Sequence, residues 1–401
     1  MRALLGAVLV AAVGWLAATD PGALGDAALR LAPVLGFVAA ISVVVNLAAR
    51  AGAFDTVVAA LGRLPGMSGR AGAWALVTAL AAVSTAFFSL DTTVILLTPV
   101  AVGLARARGL EVLALALPVI WTANIASLWL PVSNLTNLLA DAAGRFDTAG
   151  GFTAAAWPVS GVAFLVALAA SAAALLVYGR TAVPAGGGRS TRPGASGTRP
   201  GHAAAGTEPG RVGRDVGNSG AHRLHALSLV VLACTLPLLA TPLPYWLTAA
   251  VAAGVLAAGF AVGEPGALRA DLVPWGALLV AAALSVAAAA VHASGLSAGL
   301  IAALGGVGVP GTAAAGAVAA NLVNNIPAYL ALEPAAAAGP ETLALLVGVN
   351  VGPLVTPWAS LATLLWFDQL ARRGEPVPWR AFVLPGLVLA PVAVALCTLA
   401  V

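Results

Sequence analysis

The sequence has no lysine and only two cysteines, and each shortage excludes a class of function. All 19 basic residues are arginine. Because a P-loop uses a lysine to hold the nucleotide phosphates, the chain cannot hydrolyse ATP in that way. Cys234 and Cys397 stand singly in apolar segments. That isolation predicts small packing residues and argues against both a disulfide and a thiolate metal site.

Charge is scarce as well: charged residues make up 8% of the chain and hydrophobic residues 61%, with a mean hydropathy of +0.99. Apolar runs long enough to cross a hydrocarbon core of roughly 30 Å recur along the whole chain. The clearest are 31–49, 155–178, 244–262, 274–291 and 381–400. A β-barrel would instead alternate polar and apolar residues in units of about ten. The composition therefore predicts an all-α polytopic membrane protein.

The expected location is the cell (plasma) membrane, which the chain would cross several times. In such a protein the net charge of +4 reports orientation and gives no indication of nucleic-acid binding. Residues 1–20 have two interpretations, a cleaved signal peptide or an uncleaved first helix. The apolar run continues into a polytopic chain, which favours the uncleaved helix.

Residues 179–224 differ from their surroundings, because they are rich in Gly, Pro, Ser and Arg and have almost no bulky apolar side chains. Such a segment cannot offset its ordering entropy by burial, which predicts a disordered linker. It separates a first transmembrane half, 1–178, from a second, 225–401. Its seven arginines predict that it lies on the cytoplasmic face.

The remaining arginines predict a re-entrant hairpin at 71–105. Arg63 and Arg70 precede this stretch, and Arg106 and Arg108 follow it. A single crossing would place the two pairs on opposite faces, whereas a hairpin places both on the cytoplasmic face, where arginines accumulate. The same orientation places four acidic residues on the outer face, namely Asp20, Asp26, Asp141 and Glu341.

The second half repeats the irregular stretches of the first. The segment NVGPLVTPWASLATLL, which starts at residue 350, aligns without a gap on NIASLWLPVSNLTNLL, which starts at residue 124. Five spans separate the two predicted hairpins, 71–105 and 311–336, and this odd number makes the second hairpin enter from the opposite face. Inverted-topology repeats of this kind are common among secondary transporters. The aligned pairs include Asn124 with Asn350, Pro131 with Pro357 and Asn134 with Ser360.

The predicted fold is an all-α polytopic membrane protein with inverted-topology repeats, each with a re-entrant hairpin and a broken transmembrane helix. The hairpins span 71–105 and 311–336, and the broken helices span 111–142 and 342–370. Irregular backbone at membrane depth is tolerated only where protein or a water-filled cavity surrounds it. Seven of the nine asparagines fall in these stretches, which predicts a binding site at the membrane midplane.

The predicted substrate site consists of amides and hydroxyls at the hairpin tips and helix breaks. Asp91 is predicted to be the proton-coupling group, because an ionisable side chain at midplane is costly and usually marks an ion or proton pathway. Simpler roles stay open, since Asp91 could cap its helix and Asn134 could join helices without touching substrate. Glu333 and Asp368 lie near segment ends and are predicted to be interfacial. The predicted substrate-binding residues are Ser89, Asn124, Ser127, Ser133, Asn134, Asn324, Asn325, Asn350, Thr356 and Ser360.

Four segments carry a resemblance to a known family: SLDTTVILLTPV, IASLWLPVSNLTNLLAD, NLVNNIPAYLA and VGPLVTPWASLATLLWF. Over most of both halves the chain resembles the arsenical pump membrane proteins, the arsenite and antimonite exporters of the ion transporter superfamily. That resemblance implies proton-driven export of a trivalent metalloid hydroxide, sometimes assisted by a separate soluble ATPase. Asn124 and Asn350 stand where many members of that family carry Asp.

The expected function is therefore a secondary antiporter that exports arsenite or antimonite in exchange for protons, without a cofactor or a bound metal. Amides and hydroxyls suit a neutral solute, and the sequence places no arginine at midplane to pair with an anion. The alternative is a sodium- or proton-coupled carrier of dicarboxylates, citrate or another anion from the same superfamily. Half-helix N-termini could hold such an anion.

The expected partners are the metalloid, protons and the lipid bilayer, with no nucleic acid. A soluble ATPase subunit and a homodimer both stay open. A channel would not need paired inverted hairpins. A membrane enzyme would need a catalytic cluster, and the sequence predicts no histidine, cysteine or paired-carboxylate cluster at the membrane midplane. The chain is therefore not expected to be an enzyme.

Overall fold

The computed structural model describes residues 2–146, 151–179, 211–241 and 243–401, and the regular structure within those ranges is helical. The helices of the first half are α1 (Arg2–Thr19), α2 (Pro21–Arg50), α3 (Ala53–Gly62), α4 (Arg70–Phe88), α5 (Leu90–Ala107), α6 (Leu113–Ile125), α7 (Leu135–Ala142) and α8 (Gly151–Tyr178). Those of the second half are α9 (Arg211–Leu239), α10 (Tyr245–Gly263), α11 (Trp275–Ala293), α12 (Ala298–Leu304), α13 (Gly308–Val323), α14 (Asn325–Leu332), α15 (Pro340–Val351), α16 (Leu361–Arg372) and α17 (Arg380–Thr398).

Eight of these helices are long and apolar enough to cross a membrane, judged by their length and composition. They are α2, α4, α5, α8, α9, α10, α11 and α17. For the described residues, this confirms the prediction of an all-helical chain with several candidate membrane spans. The shorter apolar helix α1 packs against α2 and α11.

The helices α4 and α5 cover the range 71–105 of the first predicted hairpin and run antiparallel. Ser89 alone separates them, and the two outer ends meet where the Arg108 guanidinium donates to the carbonyls of Met67 (3.1 Å) and Gly69 (2.9 Å). Both helices are long enough to cross a membrane, so their length does not fix the depth of the turn. The corresponding pair in the second half, α13 and α14, is shorter, and a single residue again separates the two helices.

Two loops interrupt helices at the positions that the sequence alignment pairs. The loop between α6 and α7 covers 126–134, and the loop between α15 and α16 covers 352–360. Pro353 lies just after the end of α15, where the helix cannot continue because proline lacks the N–H that a helix interior requires. In the first loop, Pro131 begins a single 3-10 turn. The two interruptions therefore have the same length.

Most of the predicted linker, residues 180–210, lies outside the described residues. Its last part, 211–224, forms the start of α9, so this helix begins earlier than the composition indicated. Near Leu224, tertiary contacts explain why the chain is helical where a disordered linker was predicted, because this side chain is buried. The next residue, His225, places its Nδ1 atom 2.8 Å from the Ala51 carbonyl oxygen at the end of α2.

Helix ends that carry arginine meet at one end of the bundle. Arg50, at the end of α2, donates through Nε to Glu264 Oε1 after α10 at 2.9 Å. Arg106, near the end of α5, donates through Nε to Glu375 Oε1 after α16 at 3.0 Å. The hydrogen bond from Arg50 lowers the pKa of the Glu264 carboxyl. We call this the arginine end of the bundle, and it is the end that the predicted topology places in the cytoplasm.

The short helices α6 and α15 form the centre of the bundle. All thirteen residues of α6 are buried, and so is α15 from residue 342 to residue 351. A helix that is apolar on every side is stable only when other helices surround it. α15 also packs closely on α13, because a methyl group at Gly348 would meet the backbone of Ala313, Gly316 and Ala317.

Gly348→Ala is expected to destabilise the protein by about 1–3 kcal/mol, the usual effect of overpacking a close contact. The new Cβ atom would lie 2.9 Å from the Ala317 nitrogen and 3.0 Å from the Gly316 Cα atom. The measurement is thermal unfolding of the purified protein in detergent. Gly103→Ala on α5 is the matched control, since its Cβ would meet no described atom within 4 Å. Equal midpoints for the two variants would contradict the close contact between α13 and α15.

Candidate functional site

A cavity of about 90 Å³ lies where four helices begin. Residues at the starts of α5, α7, α14 and α16 line it, among them Ser89, Asn134, Asn325 and Ser360. Mainly apolar side chains of α2 and α11 complete its wall. The first N–H groups of a helix have no partner inside the helix, so each start supplies hydrogen-bond donors and partial positive charge. We call this space the central cavity.

The four helix starts differ in whether a side chain already caps them. Asn134 Oδ1 accepts from the Thr136 N–H of α7 at 3.3 Å, and Asn324 Oδ1 accepts from the Ile326 N–H of α14 at 3.2 Å. Among the described residues, no side chain caps α5 or α16, and the buried Ser360 hydroxyl has no partner. The starts of α5 and α16 are therefore the ones most open to a solute in the central cavity.

The two helix pairs turn through the same unusual backbone conformation. Ser89, between α4 and α5, has φ 85° and ψ 160°, and Asn324, between α13 and α14, has φ 96° and ψ 154°. Residues with a side chain rarely adopt this region, which suits glycine. The residues before α7 and α16 also correspond, with extended backbone at Asn134 (φ −150°, ψ 144°) and Ser360 (φ −138°, ψ 140°). Each half thus brings a matching pair of helix starts to the central cavity.

Ser89→Gly is expected to raise the thermal unfolding midpoint, because glycine relieves a backbone strain of roughly 1–3 kcal/mol. The Ser89 hydroxyl contributes little to set against this gain, since its contact with Thr92 Oγ1 is 3.5 Å long. Ser89→Ala is the matched control, because it removes the hydroxyl but keeps the Cβ atom and the strain. Both variants are measured as purified protein in detergent. An equal rise with alanine would show that backbone strain is not the cause.

A buried amide network lies behind the central cavity and joins the two halves of the chain. Asn350 Oδ1, on α15, accepts from Asn134 Nδ2 at 3.0 Å and from Thr136 Oγ1 at 2.6 Å. Asn350 Nδ2 donates to Asn137 Oδ1 at 2.8 Å. Asn137 Nδ2 in turn donates to the Ser127 carbonyl at 2.7 Å. The network therefore fixes the start of α7 against the end of α15.

Each helix turn is also fastened to the interrupted helix of its own half. Ser133, in the loop before α7, donates through Oγ to the Ala86 carbonyl near the end of α4 at 3.0 Å. In the second half, the Asn325 N–H at the start of α14 donates to the Ala359 carbonyl in the loop before α16 at 2.9 Å. These contacts hold two helix starts side by side in each half.

The structure brings five of the predicted site residues to the wall of the central cavity and leaves six outside it. The side chains outside the wall form hydrogen bonds with the protein, and their contact with a solute stays a prediction. Those in the wall are Ser89, Asp91, Asn134, Asn325 and Ser360. Those outside it are Asn124, Ser127, Ser133, Asn324, Asn350 and Thr356, the last of which lines a separate cavity.

Three residues of these networks were not among the predicted site residues: Thr136, Asn137 and Asn321. Asn321 supports the second loop, where its Oδ1 accepts from the Thr356 N–H at 3.0 Å and its carbonyl accepts from the Thr356 hydroxyl at 2.8 Å. The signal that identifies Asn137 and Asn321 is their position in stretches already conspicuous for asparagine. Thr136 gives no such signal, because buried threonines are common in apolar helices.

Asp91 is the only ionisable side chain among the described residues that line the central cavity. It lies in the first turn of α5, where the helix N-terminus favours a carboxylate. Its Oδ1 atom is buried and has no hydrogen-bond partner in the described part of the chain. Over the same residues, no group of three or more His, Cys, Asp or Glu side chains is placed to hold a metal ion. The cavity thus combines four helix starts with one carboxyl group that can take up and release a proton.

A profile of the citrate transporter family matches residues 1–363 of this chain. The match reaches the beginning of α16, so it includes all four helix starts around the central cavity. It supports the ion transporter grouping but does not show the arsenical pumps in particular. Its description agrees better with the alternative function, an anion carrier, than with metalloid export.

Proposed function

The chain belongs to the citrate transporter family, and from that premise we propose that it is a secondary carrier of citrate or a related small polycarboxylate in the plasma membrane. The observation that carries the proposal is the convergence of four helix starts on one cavity. Each start is equivalent to roughly half a positive charge, so the four supply about two while Asp91 is protonated. That total suits a di- or tricarboxylate, whereas an uncharged metalloid hydroxide gains little from it. Membership in a transporter family is also consistent with a chain that is not an enzyme.

The proposed transport cycle uses two inverted repeats, each with a re-entrant helix pair and a broken helix. The matching backbone at Ser89 and Asn324 supports this arrangement. When α6 and α7 count as one crossing, five crossings separate the two helix pairs, namely that one and α8, α9, α10 and α11. An odd number makes the pairs enter from opposite faces, as alternating access by inverted repeats requires.

Import of an anion into a cell requires coupling, because the membrane potential opposes it. One charge that moves across 100 mV is worth about 2.3 kcal/mol. A trianion that enters a cell at roughly 150 mV, inside negative, would therefore need about 10 kcal/mol. The coupled cations must balance the charge of the substrate. Asp91 is the group that we propose carries a coupled proton, since it is the ionisable side chain at the central cavity.

Arsenite or antimonite export in exchange for protons is the second candidate. One observation favours it: among the described residues, no arginine lines the central cavity. A neutral solute needs no side chain of opposite charge, and amides and hydroxyls would bind its hydroxyl groups. The helix starts give an anion the advantage, because their charge comes from the backbone and needs no arginine.

The test is uptake into proteoliposomes that contain the purified full chain. Radiolabelled citrate and succinate are compared with arsenite and antimonite under an inward proton gradient, with and without sodium. Accumulation of a carboxylate that a protonophore abolishes is the expected result, and empty liposomes are the control. Accumulation of arsenite without any carboxylate would contradict the proposal and favour the second candidate. Carboxylate uptake that depends on sodium alone would support the proposed substrate class and contradict proton coupling.

A further inference from the structure

A second cavity, of about 670 Å³, lies on the same helices as the central cavity but farther from the arginine end. α2 lines the central cavity between residues 35 and 42 and the second cavity between 20 and 31. α11 likewise lines the central cavity with residues between 277 and 281 and the second cavity with residues between 285 and 293. Both α7 and α14 also contribute residues to each of the two cavities. At about 1.5 Å of helix rise per residue, roughly 6 Å separates the two spaces. We call the second cavity the vestibule.

A buried carboxylate in the wall of the vestibule holds two arginines. Glu333 is only 5% exposed, and its position at the membrane interface stays a prediction. Its Oε1 atom accepts from Arg30 Nη2 at 2.7 Å and from the Tyr329 hydroxyl at 2.9 Å. Arg145 Nε lies 3.5 Å from the same oxygen. Two guanidinium groups share one carboxylate, so the cluster carries one net positive charge.

The arginines, and not the carboxylate, form the exposed part of this cluster. The side chains of Arg30 and Arg145 are each 25% exposed, against 6% for Glu333. Arg30 is held in place by a further bond from Nη2 to the Leu139 carbonyl at 2.8 Å, and Arg145 by a bond from Nη2 to the Glu333 carbonyl at 3.0 Å. A guanidinium carries five donors in one plane, a geometry that matches a carboxylate. The remaining ionisable residues of the vestibule are Asp20, Asp26 and His292.

We propose that Arg30 and Arg145 form a capture site that binds a carboxylate group of the transported anion in the vestibule before it enters the central cavity. This inference rests on the proposed carriage of a polycarboxylate. The two arginines supply the side-chain charge that the central cavity lacks. Arg30 lies five residues before Leu35 of the central cavity on α2, a helix rise of about 7 Å, so a captured anion moves only a short way to the four helix starts.

A purely structural tie is the competing explanation, since the same contacts fasten α2 to α7 and α14. The two roles predict opposite signs for one substitution. Glu333→Gln removes the charge that competes for the arginines, so a capture site gains affinity and the KM for citrate falls. If the cluster is only a structural tie, replacing any of its members weakens it, so both the transport rate and the stability of the protein would fall.

The experiment measures initial rates of citrate uptake by the full chain in intact cells and in inverted membrane vesicles. Arg30→Gln and Arg145→Gln are each expected to raise KM roughly tenfold while kcat stays within about twofold, the range for one lost charge-assisted hydrogen bond. Asp26→Asn removes an exposed negative charge one turn before Arg30, and we expect it to lower KM by about twofold. Asp55→Asn, an exposed acid on α3 near the arginine end, is the matched control and should leave KM unchanged.

The outcomes separate the two proposals. Absence of carboxylate uptake by the wild type overturns the proposed function itself. Normal uptake with an unchanged KM in both arginine variants overturns only the capture site. If Glu333→Gln fails to fold, the KM of Asp26→Asn still distinguishes the two roles. A lower KM for this variant supports the capture site. An unchanged KM, together with low kcat and low stability of the arginine variants, supports the structural tie. KM changes that appear only in inverted vesicles support the capture site but contradict the predicted orientation of the chain in the membrane.

Discussion

Replacement of Asn350 with leucine is expected to reduce transport roughly a hundredfold while the protein still inserts in the membrane. Asn350 forms hydrogen bonds with Asn134, Thr136 and Asn137, and leucine can replace none of them. A buried polar group that loses its partner costs about 1–3 kcal/mol, so the start of α7 would move to find new partners. Misplacement by about 1 Å in an active site lowers rates by roughly 10²-fold, and a site built from helix starts is similarly sensitive. The measurement is the initial rate of citrate uptake into proteoliposomes.

Asn46→Leu is the control for this substitution. Asn46 lies exposed on α2 and donates to the Leu272 carbonyl at 2.9 Å, so the same chemical change occurs away from the network. Its transport rate should stay within about twofold of the wild type, the range of surface substitutions. Gel filtration in detergent shows whether each variant is folded. Normal transport by a well-folded Asn350→Leu protein would show that the network does not position the site.

The second large effect is expected for Asp91→Asn, which should abolish accumulation of substrate driven by a proton gradient. Asn has nearly the shape of Asp but cannot take up and release a proton. Because Asp91 is the ionisable group at the central cavity among the described residues, no other side chain there can replace it. The concentration ratio across the membrane should fall to about one, whereas exchange of labelled for unlabelled substrate should continue. Uptake against a gradient and counterflow exchange are the two measurements.

Asp368→Asn is the matched control for this change, because that carboxylate is half exposed on α16 and pairs with Arg372 at 2.7 Å. It should keep the accumulation of the wild type. Accumulation by Asp91→Asn that still responds to pH would move the coupling to another group. Loss of exchange as well as accumulation would indicate that Asp91 serves binding or folding more than coupling.

The comparison of Asn124 with Asn350 shows how far the sequence could predict the site. The two align in the repeated stretches and share a residue type, so the sequence treats them alike. In the structure, Asn124 Nδ2 donates to the Ile120 carbonyl of its own helix at 2.9 Å, whereas Asn350 bonds to residues more than 200 positions away. Alignment identifies equivalent backbone positions, but the partner of a side chain depends on which helices pack beside it.

The prediction of a neutral solute from the sequence illustrates the same limit. The sequence shows no arginine or lysine in the polar stretches, and a count of side chains therefore favours an uncharged substrate. The positive charge of a helix start belongs to the backbone, so it does not appear in any such count. Only the arrangement of α5, α7, α14 and α16 around one cavity makes that charge relevant, and this arrangement favours an anion.

The sequence by itself determined that the chain is helical and membrane-spanning, and it located the interruptions of the helices. These properties depend on hydropathy over about twenty residues and on Pro, Gly and Asn within a few residues of a break, all of which are local. The tertiary structure alone decided that five predicted residues face one cavity and that Glu333 is buried between two arginines. Each of these depends on contacts between residues far apart in the chain, because burial and hydrogen-bond partners are set by the packing of whole helices.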